Sequence, residues 1–186
     1  MGDQLLDKLI IKKINTWHHF ALQRSSATTQ FFLDGVERTS ISDTQNHTTT
    51  SMKIGGYDGG DTDSQKFKGY ISDFRIVKGA TAYTVTGSPH SGSIYLNGGS
   101  VSTSASSDFT MGTGDFTIEW WIYRVQVTLA DNMLLGPIYG MQGGSSISGY
   151  GMVFPYYYSP VHATQGLIYC SSNGSSWNIA SGVALG

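Results

Sequence analysis

The chain has 186 residues, of which 13% are charged, and a net charge of −2. That balance lacks the basic stripe a nucleic-acid binder needs, and no apolar stretch is long enough to cross a membrane. With 24 glycines, 12% aromatic residues and abundant Ser and Thr, the composition is that of one turn-rich all-β domain.

Leu5, Leu6, Leu9 and Ile10 are spaced i, i+1, i+4, i+5, which predicts a short amphipathic helical turn or two. The opening residues show no basic stretch and no small-residue cleavage site, so they do not read as a signal peptide. Residues 1–13 are read as an arm that docks on a neighbouring subunit or on its own domain.

From Ile14 the period changes to two. Trp17 to Arg24 is a strand with apolar residues on both faces, which predicts a central position. Gln30-Phe31-Phe32-Leu33 is the next strand, Asp34-Gly35 a hairpin turn that tolerates positive φ, and Val36 to Ser40 the return. Residues 41–50 are rich in Ser, Thr and Asn and read as an exposed loop. Ser51 to Tyr57 is a strand, followed by the acidic loop 58–63. Lys66 to Lys78 is a long strand with Tyr70, Phe74 and Ile76 on one face and Ile71, Asp73, Arg75 and Val77 on the other. Asp73 and Arg75 are expected in a surface or cross-strand ion pair.

Residues 84–92 carry the best linker signal. Tyr95 and Leu96 then open a second half. Phe116, Ile118, Trp120 and Ile122 alternate with Thr117, Glu119, Trp121 and Tyr123, a strand whose first set faces the core. Asn132 to Tyr139 and Met152 to Tyr158 are further strands. Leu167 to Ser171 and Ser176 to Ala180 are expected to form a hairpin across Asn173-Gly174. The lone Cys170 excludes an internal disulfide and reads as a small apolar strand residue.

Several stretches resemble a laminin-G-like, concanavalin-A-like lectin module: Trp17-His18-His19-Phe20-Ala21-Leu22, Gly69-Tyr70-Ile71-Ser72-Asp73-Phe74-Arg75-Ile76, and Gly114-Asp115-Phe116-Thr117-Ile118-Glu119-Trp120-Trp121-Ile122. The arm has no counterpart in that pattern. Phe74 to Thr84 looks like such modules in virion proteins of marine bacteriophages. The resemblance implies an antiparallel two-sheet jelly-roll sandwich. It also implies a permuted order, because residues 14–83 resemble the family's C-terminal half and residues 93–186 its N-terminal half. The expected organisation is an arm at 1–13 and one circularly permuted domain at 14–186, with 84–92 as its internal linker. A protomer that exchanges half-domains with a neighbour is the alternative. The function so implied is a structural or adhesive virion component of a tail, fibre or capsid, made in a host cytoplasm. Its expected partners are other virion subunits, further copies of itself, or a cell-surface glycan.

The chemistry-bearing residues favour binding over catalysis. A glycosidase needs two carboxylates across one cleft, and in the family's hydrolases they recur at i, i+2, i+4 on one strand. Glu119 has Thr117 and Trp121 at those positions, so no enzyme is expected, and a glucanase is the remote alternative. His18 and His19 are adjacent on a strand and point to opposite faces, so they cannot share a metal ion. Asp58, Asp61 and Asp63 are the candidate metal ligands, since Ca²⁺ accepts flexible oxygen donors. The competing reading is a solvated turn. No cofactor is expected beyond that ion, which would make the chain a calcium-assisted lectin. Tyr139, Tyr150, Tyr156 and Tyr158 are candidate ligand or partner contacts, because an apolar ring with a polar tip suits either a sugar or a protein. Leu5, Leu6, Leu9 and Ile10 are the candidate assembly contacts, each worth about 1.5–3 kcal/mol gross if fully buried.

Overall fold

In a computed structural model, residues 16–48, 50–55, 68–81, 92–97 and 99–124 are described, together with the strand segments at 156–158, 166–170 and 180–184. The regular structure is nearly all strand: β1 (Trp17–Ser25), β2 (Thr28–Leu33), β3 (Val36–Ser42), β4 (Lys53–Ile54), β5 (Lys68–Lys78), β6 (Ile94–Asn97), β7 (Val101–Ser102), β8 (Phe116–Arg124), β9 (Tyr156–Tyr158), β10 (Gly166–Cys170) and β11 (Ala180–Ala184). Among the described residues a 3-10 turn spans Ser107–Phe109, capped by Ser106, whose side chain accepts from the Asp108 N–H.

Six strands form one antiparallel sheet in the order β3-β2-β1-β8-β5-β6. β8 therefore lies between β1 and β5, so the segments on either side of residues 84–92 interleave in one sheet. They do not form a sheet each. The pairing follows from side-chain pattern. β1 and β8 each carry a continuous run of buried residues, and each has a hydrogen-bonded neighbour on both edges. Phe20 lies opposite Trp120, and Leu22 opposite Ile118.

The core sits on one face of this sheet. Phe20, Leu22, Phe31, Leu33, Phe116, Ile118 and Trp120 are at most 2% exposed, and Phe20 stacks on Trp120 with ring centroids 5.6 Å apart. Met52, Ile54, Leu96 and Met111 belong to the same cluster. Met52 and Ile54 belong to the segment of the two-stranded ladder β4–β7. The three-stranded ladder β11-β10-β9 carries the remaining described strands.

Turn chemistry follows expectation at Asp34-Gly35, where φ is 49° and 83°, the left-handed pair a type I′ hairpin requires. The β1–β2 turn uses Ser26 and Ala27 at φ 49° and 60°, although neither residue favours the left-handed region. It is held from outside: Ser26 N–H donates to Asp115 Oδ1 at 3.0 Å, and the Asp43 N–H donates to Ala27 O at 2.8 Å.

Three expectations are corrected. Residues 41–50 are not an exposed loop throughout, since Asp43 and His47 are each 2% exposed. Asp43 accepts from Thr29 Oγ1 at 2.7 Å, from His47 Nε2 at 3.2 Å and from the Gln45 N–H at 3.0 Å. Beside them, the buried Arg24 donates to Gln45 O at 2.8 Å. These bonds draw polar residues inward that would otherwise face water.

The second correction concerns β5. Ile71 pairs with Ile122 and Ile76 with Ile118, so five positions on β5 span four on β8, with a register shift between Ser72 and Arg75. The bulge flips the alternation. Ile71, Phe74 and Ile76 all pack on the core, and Asp73 takes φ 51°. The third concerns β11. Cys170 pairs with Ala180 and Ile168 with Val183, and the pairing skips Gly182. The described return strand thus runs over Ala180–Ala184, past the expected end at Ala180, while Asn173-Gly174 and residues 176–179 lie outside the described residues.

Candidate ligand-contact face

The sheet's second face is organised in rows across strands. In the first, Trp17 lies opposite Tyr123, Tyr123 opposite Tyr70 and Tyr70 opposite Tyr95. Four aromatic side chains from β1, β8, β5 and β6 thus stand in register. Their ring centroids are 5.4 Å apart for Trp17–Tyr123, 5.8 Å for Tyr70–Tyr123 and 4.7 Å for Tyr70–Tyr95. The rings are mutually tilted, as edge-to-face packing prefers, and each pair contributes about 0.5–1.5 kcal/mol to the sheet. Tyr95 is 49% exposed, while Trp17, Tyr70 and Tyr123 are half-buried.

The next rows are polar. His19 lies opposite Trp121, with their rings 5.0 Å apart. One row further on, Ala21 lies opposite Glu119 and Glu119 opposite Arg75. Arg75 grips one carboxylate oxygen, Glu119 Oε1, through Nε and Nη2. The other oxygen, Glu119 Oε2, is 3.6 Å from His19 Nε2, too far for a hydrogen bond, and it is a buried acceptor without a donor. Glu119 is 5% and His19 3% exposed. Burial pushes the Glu119 carboxyl above its usual range, and the Arg75 guanidinium opposes that shift. Burial likewise lowers the His19 imidazole, partly countered by Asp34 and aided by Arg75. The rows thus set an imidazole whose neutral form burial favours beside a carboxyl on which burial and one arginine act in opposite directions.

His18 turns to the opposite side and meets Asp34, with Nδ1 2.8 Å from Oδ2. Asp34 also accepts from the His19 N–H at 2.8 Å. Burial would raise the Asp34 carboxyl, but the bonds from His18 and His19 prevail and lower it. The two histidines serve different partners on different faces, as their adjacency predicts.

Sequence reasoning placed the contact residues elsewhere. Tyr139, Tyr150, the arm residues Leu5, Leu6, Leu9 and Ile10, and the acidic loop Asp58, Asp61 and Asp63 lie outside the described residues. Tyr156 and Tyr158 lie on β9, described as backbone only, opposite Ile168 and Gly166. Among the described residues, no group of three or more His, Cys, Asp or Glu side chains gathers as a metal set, and no helix is long and apolar enough to cross a membrane. Arg75 makes its cross-strand ion pair with Glu119, and Ser72 Oγ donates to Asp73 at 2.9 Å. The signal for the aromatic row was present as a second aromatic stripe, Trp17, Trp121 and Tyr123, on strands that already had a core face.

Residues 4–84 match the laminin-G-type family model described as the concanavalin A-like lectin/glucanases superfamily. The match takes in β1 to β5 and also residues 4–13, which the sequence pattern set apart as an arm without a family counterpart. It stops before β6. No curated protein and no solved structure matches the chain.

Proposed function

We propose that this chain is a non-enzymatic adhesion module that holds a glycan on the second face of its six-stranded sheet. The observation that carries this reading is the in-register row Trp17–Tyr123–Tyr70–Tyr95, with Tyr95 open to solvent. Tilted aromatic edges receive the apolar faces of sugar rings, and tyrosine adds a polar tip. The superfamily match over residues 4–84 agrees with carbohydrate or protein binding, as a fold-level analogy. Glu119 is engaged by Arg75, which suits recognition better than acid catalysis.

The setting we propose is a virion tail, fibre or capsid surface, resting on the resemblance of Phe74 to Thr84 to phage virion modules. The domain is read as circularly permuted, which the position of β8 between β1 and β5 supports.

A glycan array with the full chain, followed by calorimetry on the best ligand, tests the function. Tyr95→Ala should weaken binding about tenfold or more, since stacking on an aromatic face contributes on the order of 1–3 kcal/mol. Saturable binding that is indifferent to Tyr95→Ala and Trp17→Ala would reject the aromatic face. Release of reducing ends, abolished by Glu119→Gln, would make the chain a hydrolase. Loss of glycan binding on chelation would favour the calcium-assisted lectin.

A further inference from the structure

We propose that residues 5–10 dock on their own domain, laying Leu5, Leu6, Leu9 and Ile10 over the apolar cleft between β5, β6 and β7. Ile54, Ile71, Phe74, Ile94, Leu96 and Val101 contribute to its walls, and its volume is about 530 Å³. Ile54, Ile71 and Leu96 belong to the core cluster, with Phe74 packed against it, so the cleft carries the core out to the surface. Ile94 is 55% and Val101 39% exposed. Aliphatic side chains left in water beside a core-lined cleft favour an apolar cover.

Three observations point to this occupant. The first is chemistry. Leu5, Leu6, Leu9 and Ile10 recur at i, i+1, i+4, i+5, which puts four aliphatic side chains on one side of a short helical turn. Laid on the cleft, that side leaves Asp7 and Lys8 to water. The second is reach. Residues 1–15 lie outside the described residues, and β1 follows them at Trp17. His18 lies opposite Ile122, Ile122 opposite Ile71 and Ile71 opposite Ile94, so β1 opens at the cleft's end of the sheet. Three strand spacings, roughly 14 Å, separate β1 from β6. Residues 11–16 span up to about 20 Å when extended, enough to bring Ile10 to the cleft within one chain. The third is continuity. The family match runs from residue 4 to residue 84, so residues 5–10 fall in the same matched unit as β1 to β5. Ile94 and Leu96 face the cleft, while Tyr95 between them takes the other side of β6. The docking is therefore independent of glycan binding.

The test is limited trypsin digestion of the full chain, with mass spectrometry following cleavage after Lys8. Cleavage tracks the undocked population, so it should be about tenfold or more slower than in a synthetic peptide of residues 1–16. Ile94→Asn with Val101→Asn changes two exposed positions. It should leave the near-ultraviolet circular dichroism folded and speed cleavage after Lys8 about tenfold or more, because two aliphatic contacts are lost. In a Cys170→Ser background, oxidised Leu9→Cys with Val101→Cys should form a disulfide within one chain. Lys8→Cys with Val101→Cys should form much less. The proposal is overturned by cleavage after Lys8 as fast as in the peptide, or by slow cleavage indifferent to the double substitution. A position 9 to position 101 link that forms only between chains also overturns it, since a second copy's arm would then fill the cleft. Equal linking from position 8 does the same. Should the double substitution fail to fold, the peptide comparison and the disulfide pairs decide.

Discussion

Asp43→Asn isolates the polar knot that pulls residues 43–47 inward. In the native protein the Asp43 carboxylate is 2% exposed and accepts from Thr29 Oγ1, His47 Nε2 and the Gln45 N–H. Burial alone would raise its pKa. The bonds from His47, Thr29 and Gln45 prevail and bring it from 3.8 to about 2. A depressed folded pKa stabilises the fold fully above the unfolded value and loses that stabilisation as pH falls through the folded one. The window is therefore pH 4 to 2, and the amount is about 2 kcal/mol at 1.36 kcal/mol per unit. Asparagine carries no titrating proton, so the variant should lose about 2 kcal/mol at pH 7 and little further between pH 4 and 2. Urea unfolding of both proteins at pH 7, 4, 3 and 2, followed by tryptophan fluorescence, reads the difference directly. Other carboxylates, Asp34 among them, titrate in both proteins and cancel in the comparison. Parallel loss of stability in the two proteins across pH 4 to 2 would refute the assignment.

Trp120→Ala should cost about 3–5 kcal/mol by cavity formation, because the side chain is 1% exposed and stacks on Phe20; the denaturant midpoint reports it. Ala27→Gly should stabilise the β1–β2 turn by about 1 kcal/mol, since Ala27 sits at φ 60° and glycine relieves that strain; thermal melting checks it. Arg75→Met strands the buried Glu119 carboxylate and should cost about 1–3 kcal/mol. Glu119→Gln in the same chain should recover part of that, so a double-mutant cycle should give a non-zero coupling. Burial raises the Glu119 pKa, so the folded state holds its proton longer than the unfolded chain. This group therefore costs stability as pH rises from 4.5 through its folded value. Glu119→Gln should flatten that part of the stability profile, as measured by urea titration.

Much of the sheet was legible because its signals are local. Period-two alternation placed β1, β2 and β8, and identified Phe116, Ile118, Trp120 and Ile122 as the core face. Asp34-Gly35 marked a hairpin that forms with both residues in the left-handed region. The β5 bulge was not legible. Nothing local to Ser72-Asp73-Phe74 requires an extra residue. It follows from β5 having to match Ile118 and Ile122 on a strand distant in sequence. The candidate site was missed for a related reason. Each aromatic of the row looks ordinary on its own strand, and only register across four strands aligns them.

By itself, then, the sequence determined that β1, β2, β3 and β8 become strands, which face of β8 is the core face and where the Asp34-Gly35 hairpin falls, because side-chain period and turn torsions are properties of a few consecutive residues. Tertiary structure alone decided that β8 enters between β1 and β5, that Arg75 meets Glu119, and that Asp43 and His47 are buried. Those outcomes depend on which distant segments exclude water from one another, and a one-dimensional pattern does not contain that choice.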